Sequence, residues 1–147
     1  MNLEIAYAQF GVRPPVTKPI PEFLIEVGQD GIRELISEHY ESIKGSDIEH
    51  LFPIDPQEFE MAKKHAADFF IQICGGPKYF NESRGAPRMV GRHERFRITP
   101  QARETWLELY KPLLKKLKEN GVTEISLQSF WNYLNIFSLW MVNTQED

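Results

Sequence analysis

Cysteine is nearly absent, with Cys74 the single one in 147 residues. No intrachain disulfide can form, and no Cys-rich zinc or iron-sulfur site can be assembled. The cytoplasm is the simplest home for such a chain. Basic excess is lacking too, since 17 Lys and Arg stand against 21 Asp and Glu, for a formal net charge of −4. A general nucleic-acid binder would carry the opposite balance or an extended basic block. Long apolar runs are missing as well. The most hydrophobic stretch, near residues 130–142, is broken by Asn132, Asn135 and Ser138, and falls short of the ~20 residues of a spanning helix. No charged-then-apolar leader opens the chain. Internal repeats and the alternating pattern of strands are also absent.

What is there is aromatic and helical. Hydrophobic residues make up 41% and aromatic residues 12%, with 10 Phe among them, which suits a dense core or an enclosed planar ligand. A chain of this length buries roughly two thirds of its unfolded surface in one domain. Residues 1–21 hold Gly11, Pro14, Pro15, Pro19 and Pro21, a density that resists a long helix and predicts an irregular arm. A short helical piece over Glu22–Val27 is ended by Gly28. From Gly31 to Lys44, Ile32, Leu35, Ile36, Tyr40 and Ile43 recur at helical steps. After a turn through Ile48, Leu51 and Phe52, the run Asp55, Pro56, Glu58 marks a helix start. That helix is predicted to reach Cys74, with Phe59, Ala62, Ala66, Phe69, Phe70 and Ile73 inward. Residues 78–99 have no long period. Another helix is predicted from Thr99–Pro100 to about Glu119, bent at Pro112, and a last one from Glu124 or Leu127 to Asn143. The fold class is therefore all-α.

Four histidines carry the available imidazole chemistry. His39 precedes an apolar helix position and is expected to face solvent, and His50 sits in a polar turn. His65 can border the space left by Ala62 and Ala66, although a boundary position is the plainer reading. His93 lies in Met89-Val90-Gly91-Arg92-His93-Glu94-Arg95-Phe96. One neutral imidazole nitrogen can bind iron while the other donates to a carbonyl. Spacing alone favours an ordinary loop histidine. Tyr40 and Trp106 fall on inward faces and each needs a partner when buried. Core packing with a backbone acceptor is what periodicity favours for both.

The ordered series Phe69-Phe70 through Gly75-Gly76-Pro77, Tyr79, Arg84-Gly85-Ala86-Pro87-Arg88, Arg92-His93, Phe96-Arg97-Ile98, and Arg103 with Trp106 resembles the truncated haemoglobins of the second group. The resemblance extends back to Tyr40 and Leu51-Phe52-Pro53 and covers roughly residues 22–143. It implies a two-over-two globin domain over residues 22–147 behind an N-terminal extension of residues 1–21, binding haem b (iron protoporphyrin IX). His93 resembles the proximal iron ligand, Tyr40 the distal tyrosine, Trp106 the tryptophan over the ligand pocket and Phe52 the aromatic wedged against haem. Ala62 and Ala66 match distal-helix positions, with His65, Phe69 and Phe70 available to fill the space they leave. Phe96 follows the ligand back toward the core. Arg92 is the best candidate for the propionates, ahead of Arg88 and Tyr79.

The implied function is reversible binding of dioxygen, carbon monoxide or nitric oxide, with Tyr40 and Trp106 as donors to the ligand. Nitric oxide dioxygenase or peroxidase-like chemistry would need a separate reductase. Neither nucleic acid nor membrane is expected as a partner, and the chain is expected to be a monomer or homodimer. The alternative is a haem-free helical protein-interaction module.

Overall fold

In the computed structural model, which describes residues 1–145, proline stands in the first turn of most of the longer helices, and a side-chain oxygen caps two of them. Helix α1 spans Pro21–Ile43 with Pro21 in its first turn. Its backbone leaves helical geometry at Gly28, where φ is 78° and ψ is 163°, a conformation open essentially to glycine alone. The helical piece before Gly28 and the long run after it are thus two rods joined at a bend. A single 3-10 turn at Glu49–Leu51 leads to α2, Pro56–Ile73. The Asp55 carboxylate accepts from the Glu58 N–H at 3.0 Å, satisfying one of the free donors at a helix start.

Two short helices occupy the aperiodic stretch, α3 at Tyr79–Arg84 and α4 at Met89–His93. Arg88 enters α4 from a left-handed conformation, φ 43°. Helix α5, Pro100–Glu108, is capped by Thr99, whose hydroxyl accepts from the Ala102 N–H at 3.0 Å. The single bent helix expected to reach Glu119 is instead divided. Helix α6 is Lys111–Glu119, because Pro112 has no N–H for Glu108 and the Tyr110 N–H bonds Leu107 O at 3.0 Å. Helix α7, Glu124–Met141, ends before the expected Asn143.

Helix α1 packs on α2, and α7 lies against α1, α4, α5 and α6. Rings join these layers. Phe23 of α1 stacks on Phe130 of α7 at 4.4 Å, and Phe70 of α2 meets Phe130 at 5.7 Å and Tyr133 at 6.4 Å. Phe69 reaches Phe137 at 5.6 Å. Such pairs add to the apolar burial that holds the domain together.

The first residues are bound along α7. The Trp131 indole N–H and the Asn135 amide both donate to Glu4 O, at 3.2 and 2.9 Å. The Gln128 side chain exchanges two bonds with the Asn2 backbone, each 2.7 Å, and the Trp140 indole donates to Pro14 O at 2.8 Å. Met1, Leu3 and Ile5 pack against the core. Deleting residues 1–19 strands the buried Trp131 and Asn135 donors and uncovers apolar surface. Chemical denaturation is expected to show a loss of about 3 kcal/mol, the ordering entropy of the arm having offset part of its contacts.

Candidate functional site

The break after α1, the middle of α2, the end of α4 and the facing sides of α5 and α7 enclose a cavity of about 280 Å³. Tyr40 comes from α1, Phe52 from the turn, Ala62 from α2, His93 and Phe96 from the α4 end, and Trp106 from α5. Six sequence-predicted residues therefore meet on one wall-lined space. Phe137, Ser138 and Met141 of α7 close its floor, and Arg95, Ile98, Ala102 and Arg103 complete the α4–α5 side.

His93 is held by its own helix. Nδ1 lies 2.7 Å from Met89 O. A carbonyl only accepts, so Nδ1 carries the hydrogen and Nε2 keeps its lone pair. Burial lowers the His93 pKa against the opposing effect of that hydrogen bond, which favours the neutral imidazole a metal requires. Asn143 steadies the chain behind it. Its amide N–H groups reach His93 O at 3.2 Å and Phe96 O at 2.8 Å, while its Oδ1 accepts from the Ile98 N–H at 3.0 Å.

Tyr40 and Trp106 supply the polar side of the cavity. Phe52 and Phe59 pack edge-on to the Tyr40 ring at 5.3 and 5.6 Å, and burial pushes the Tyr40 phenol well above its ordinary pKa. It therefore stays protonated as an O–H donor at any ordinary pH. Among the described residues, neither the Tyr40 hydroxyl nor the Trp106 indole N–H has a protein hydrogen-bond partner.

Arg103 is a cavity residue that the apolar patterning does not single out. It is 4% exposed. Its guanidinium donates to Ser138 Oγ at 2.8 Å, Asn135 O at 2.6 Å, Asn135 Oδ1 at 3.1 Å and Ala6 O at 2.7 Å. All these acceptors are neutral, and burial brings its pKa down to about 10, so the group remains a cation near pH 7.

Other predicted site residues stand away from the wall. Phe69 and Phe70 are turned into the core, where the rings of α7 receive them. Ala66 also packs on that core, and His65 is half-buried with Nδ1 unpartnered. The Tyr79 hydroxyl donates to Gln29 Oε1 at 3.1 Å. Arg92 folds back on its own loop, giving its N–H groups to the carbonyls of Pro87, Arg84 and Ala86. Arg88 is exposed, and the cation on the cavity rim is Arg95 instead.

His39 departs most from expectation. It is 0% exposed rather than facing solvent, because it occupies the same helical stripe as Ile32, Ile36 and Ile43, three residues after Ile36 and four before Ile43. That spacing was the available signal.

A family description, bacterial-like globin, matches residues 26–143. Two-on-two hemoglobin-3 of Arabidopsis thaliana is 43% identical over 79 residues, which are 53% of this chain and 45% of that protein. The match thus spans about half the length of that plant relative. A group 2 truncated hemoglobin of Bacillus subtilis is 27% identical over 120 residues, 82% of this chain and 87% of that protein. Among solved structures, phosphate-bound Hell's gate globin IV has a TM-score of 0.86 at 33% identity, covering 98% of this chain and 89% of that one.

Proposed function

The chain belongs to the bacterial-like globin family, and from that premise we propose that it holds haem b in the cavity beside His93 and reversibly binds dioxygen or another diatomic gas there. The helices form the truncated two-over-two globin fold. One observation carries the ligand assignment: Tyr40 and Trp106 line the same cavity as His93 with their side-chain donors unspent.

The residues suit the group. With Nδ1–H committed to Met89 O, His93 would hold the iron of haem through Nε2, and the carbonyl bond raises that nitrogen's basicity and fixes the ring. Phe52, Phe96, Phe137 and Met141 supply an apolar enclosure for a planar macrocycle. Arg95 on the rim is suited to a propionate, and Arg92 orders the adjoining loop through its carbonyl bonds. When bound, haem supplies an iron centre that takes up small gases in its ferrous state.

The chain's own residues then set retention. The Tyr40 O–H and Trp106 N–H are fixed donors that favour partial negative charge on a ligand in the cavity. Small Ala62 leaves room beside them. Nitric oxide or peroxide turnover at this site would draw electrons from a separate reductase. The lone cysteine is buried and unpaired, which suits a reducing compartment, and we place the protein in the cytoplasm as a monomer or homodimer with residues 1–21 as an extension of the globin domain. Among the described residues no helix is long and apolar enough to cross a membrane.

An absorption spectrum before and after stoichiometric haemin, dithionite and carbon monoxide tests the assignment. The expected result is a strong Soret band with an imidazole-ligated ferrous carbon monoxide signature. A folded protein with no specific haem spectrum would turn the assignment to a haem-free interaction module. Stopped-flow measurement is expected to show oxygen leaving about tenfold faster after Tyr40→Phe or Trp106→Phe, the loss of one hydrogen bond apiece. Unchanged rates in both variants would remove these donors from the mechanism.

A further inference from the structure

Carbonyls at a helix end lose their main-chain partners, and the division between α5 and α6 creates such an end beside the cavity. In an unbroken helix the Tyr110 N–H would bond Trp106 O. Here it bonds Leu107 O at 3.0 Å, and the Trp106 carbonyl is released on the residue whose side chain lines the cavity.

The group that meets this carbonyl comes from α1. His39 Nε2 lies 2.9 Å from Trp106 O, and because a carbonyl only accepts, Nε2 carries the hydrogen. The imidazole is 0% exposed. It stacks on the Tyr110 ring at 3.6 Å with 15° between planes, and lies edge-on to the Trp106 indole at 5.4 Å and 90°. Its other nitrogen, Nδ1, is buried with no hydrogen-bond partner. A leucine or phenylalanine would pack the same stripe without stranding a nitrogen, so the Nε2–H is what an imidazole adds at this position.

We propose that His39 is a positioning residue for the gas site: it ties off the released Trp106 carbonyl and holds the indole beside the cavity, setting the hydrogen bond that Trp106 gives a ligand that His39 does not itself bond. This rests on the reading of Trp106 as a donor. His39 is not in the cavity wall, so its influence runs through the backbone and ring of Trp106.

A double-mutant cycle on the haem-loaded protein tests this. His39→Met and His39→Gln are close in size, and only glutamine keeps an N–H for the carbonyl. Carbon monoxide and oxygen dissociation rates are measured with the C–O stretching frequency, which reports hydrogen bonding at the ligand. Oxygen dissociation is expected to rise about fivefold in His39→Met with a shifted stretch, and to recover in His39→Gln. In a Trp106→Phe background the same His39→Met change is expected to add less than about 1.5-fold. His39→Phe takes the place of His39→Met should that variant fail to fold. If Trp106→Phe accelerates release while the His39 variants do not, or if they act equally with and without Trp106, His39 is packing alone and the inference fails. An unchanged rate and stretch in Trp106→Phe itself would instead overturn the donor reading on which the inference stands.

Discussion

Replacing His93 with alanine is expected to weaken haem retention by at least about a hundredfold, exceeding the usual cost of disturbing only a ligand's supporting hydrogen bond. Among the described residues His93 is the one imidazole on the cavity wall, and its Nδ1–H is already committed to Met89 O. Alanine removes both the Nε2 lone pair proposed to hold iron and the Nδ1–H bond that orients the ring. Haemin titration followed by gel filtration measures the loss. The substitution also opens room where the ring stood, so free imidazole in the buffer is expected to restore the ferrous carbon monoxide spectrum of the wild type. A wild-type spectrum in His93→Ala without added imidazole would reject His93 as the ligand.

The second large effect is acid destabilisation centred on His39. Burial depresses its pKa to about 3, outweighing the hydrogen bond to Trp106 that favours protonation. Its ring neighbours Tyr40, Trp106 and Tyr110 are uncharged, so none of them supplies a carboxylate to balance a cation. In the unfolded chain this histidine titrates at its ordinary value of 6.5. Above that pH both states are neutral and the group contributes no pH dependence. As pH falls below it, the unfolded state takes the proton first and native stability drops, by about 1.4 kcal/mol per pH unit, until the folded value is approached. Denaturation between pH 6 and pH 5, where exposed carboxylates remain largely ionised, isolates the effect. His65 and His93 shift in the same direction, so the slope of His39→Gln is compared with that of the wild type. The variant is expected to be flatter by roughly one proton. Equal slopes would mean that His39 gains its proton in the folded protein.

Local signals in the sequence carried much of this architecture. Asp55 and Thr99 open α2 and α5 through the caps their side chains predict, and Gly28 bends α1 where only glycine accepts the backbone. Tyr40, Phe52, Ala62, His93, Phe96 and Trp106 converge on one cavity although 66 positions separate the first from the last by number. What local pattern could not supply was side-chain direction in the loops. Arg92 adjoins His93 in sequence, yet the carbonyls of its own loop take its N–H groups, and Arg95 reaches the rim. Counting apolar residues alone also passed over His39 and Arg103, polar groups at buried helical positions whose partners come from distant segments. Phe69 and Phe70 were correctly inward, but a helix has more than one inward direction. Theirs leads to α7 and away from the cavity.

The arm that lies along α7 gives the molecule a particular order of assembly. Glu4 meets Trp131 and Asn135 across separations of 127 and 131 residues, and Asn2 meets Gln128 across 126. Contacts that close nearly the whole chain into a loop carry a large entropic cost until intervening segments have condensed. Helix α7 must also exist before its row of side chains can present those donors. The beginning of the chain is thus expected to arrive late in folding, where Ala6 O adds one more acceptor to those that Asn135 and Ser138 already give the cavity residue Arg103.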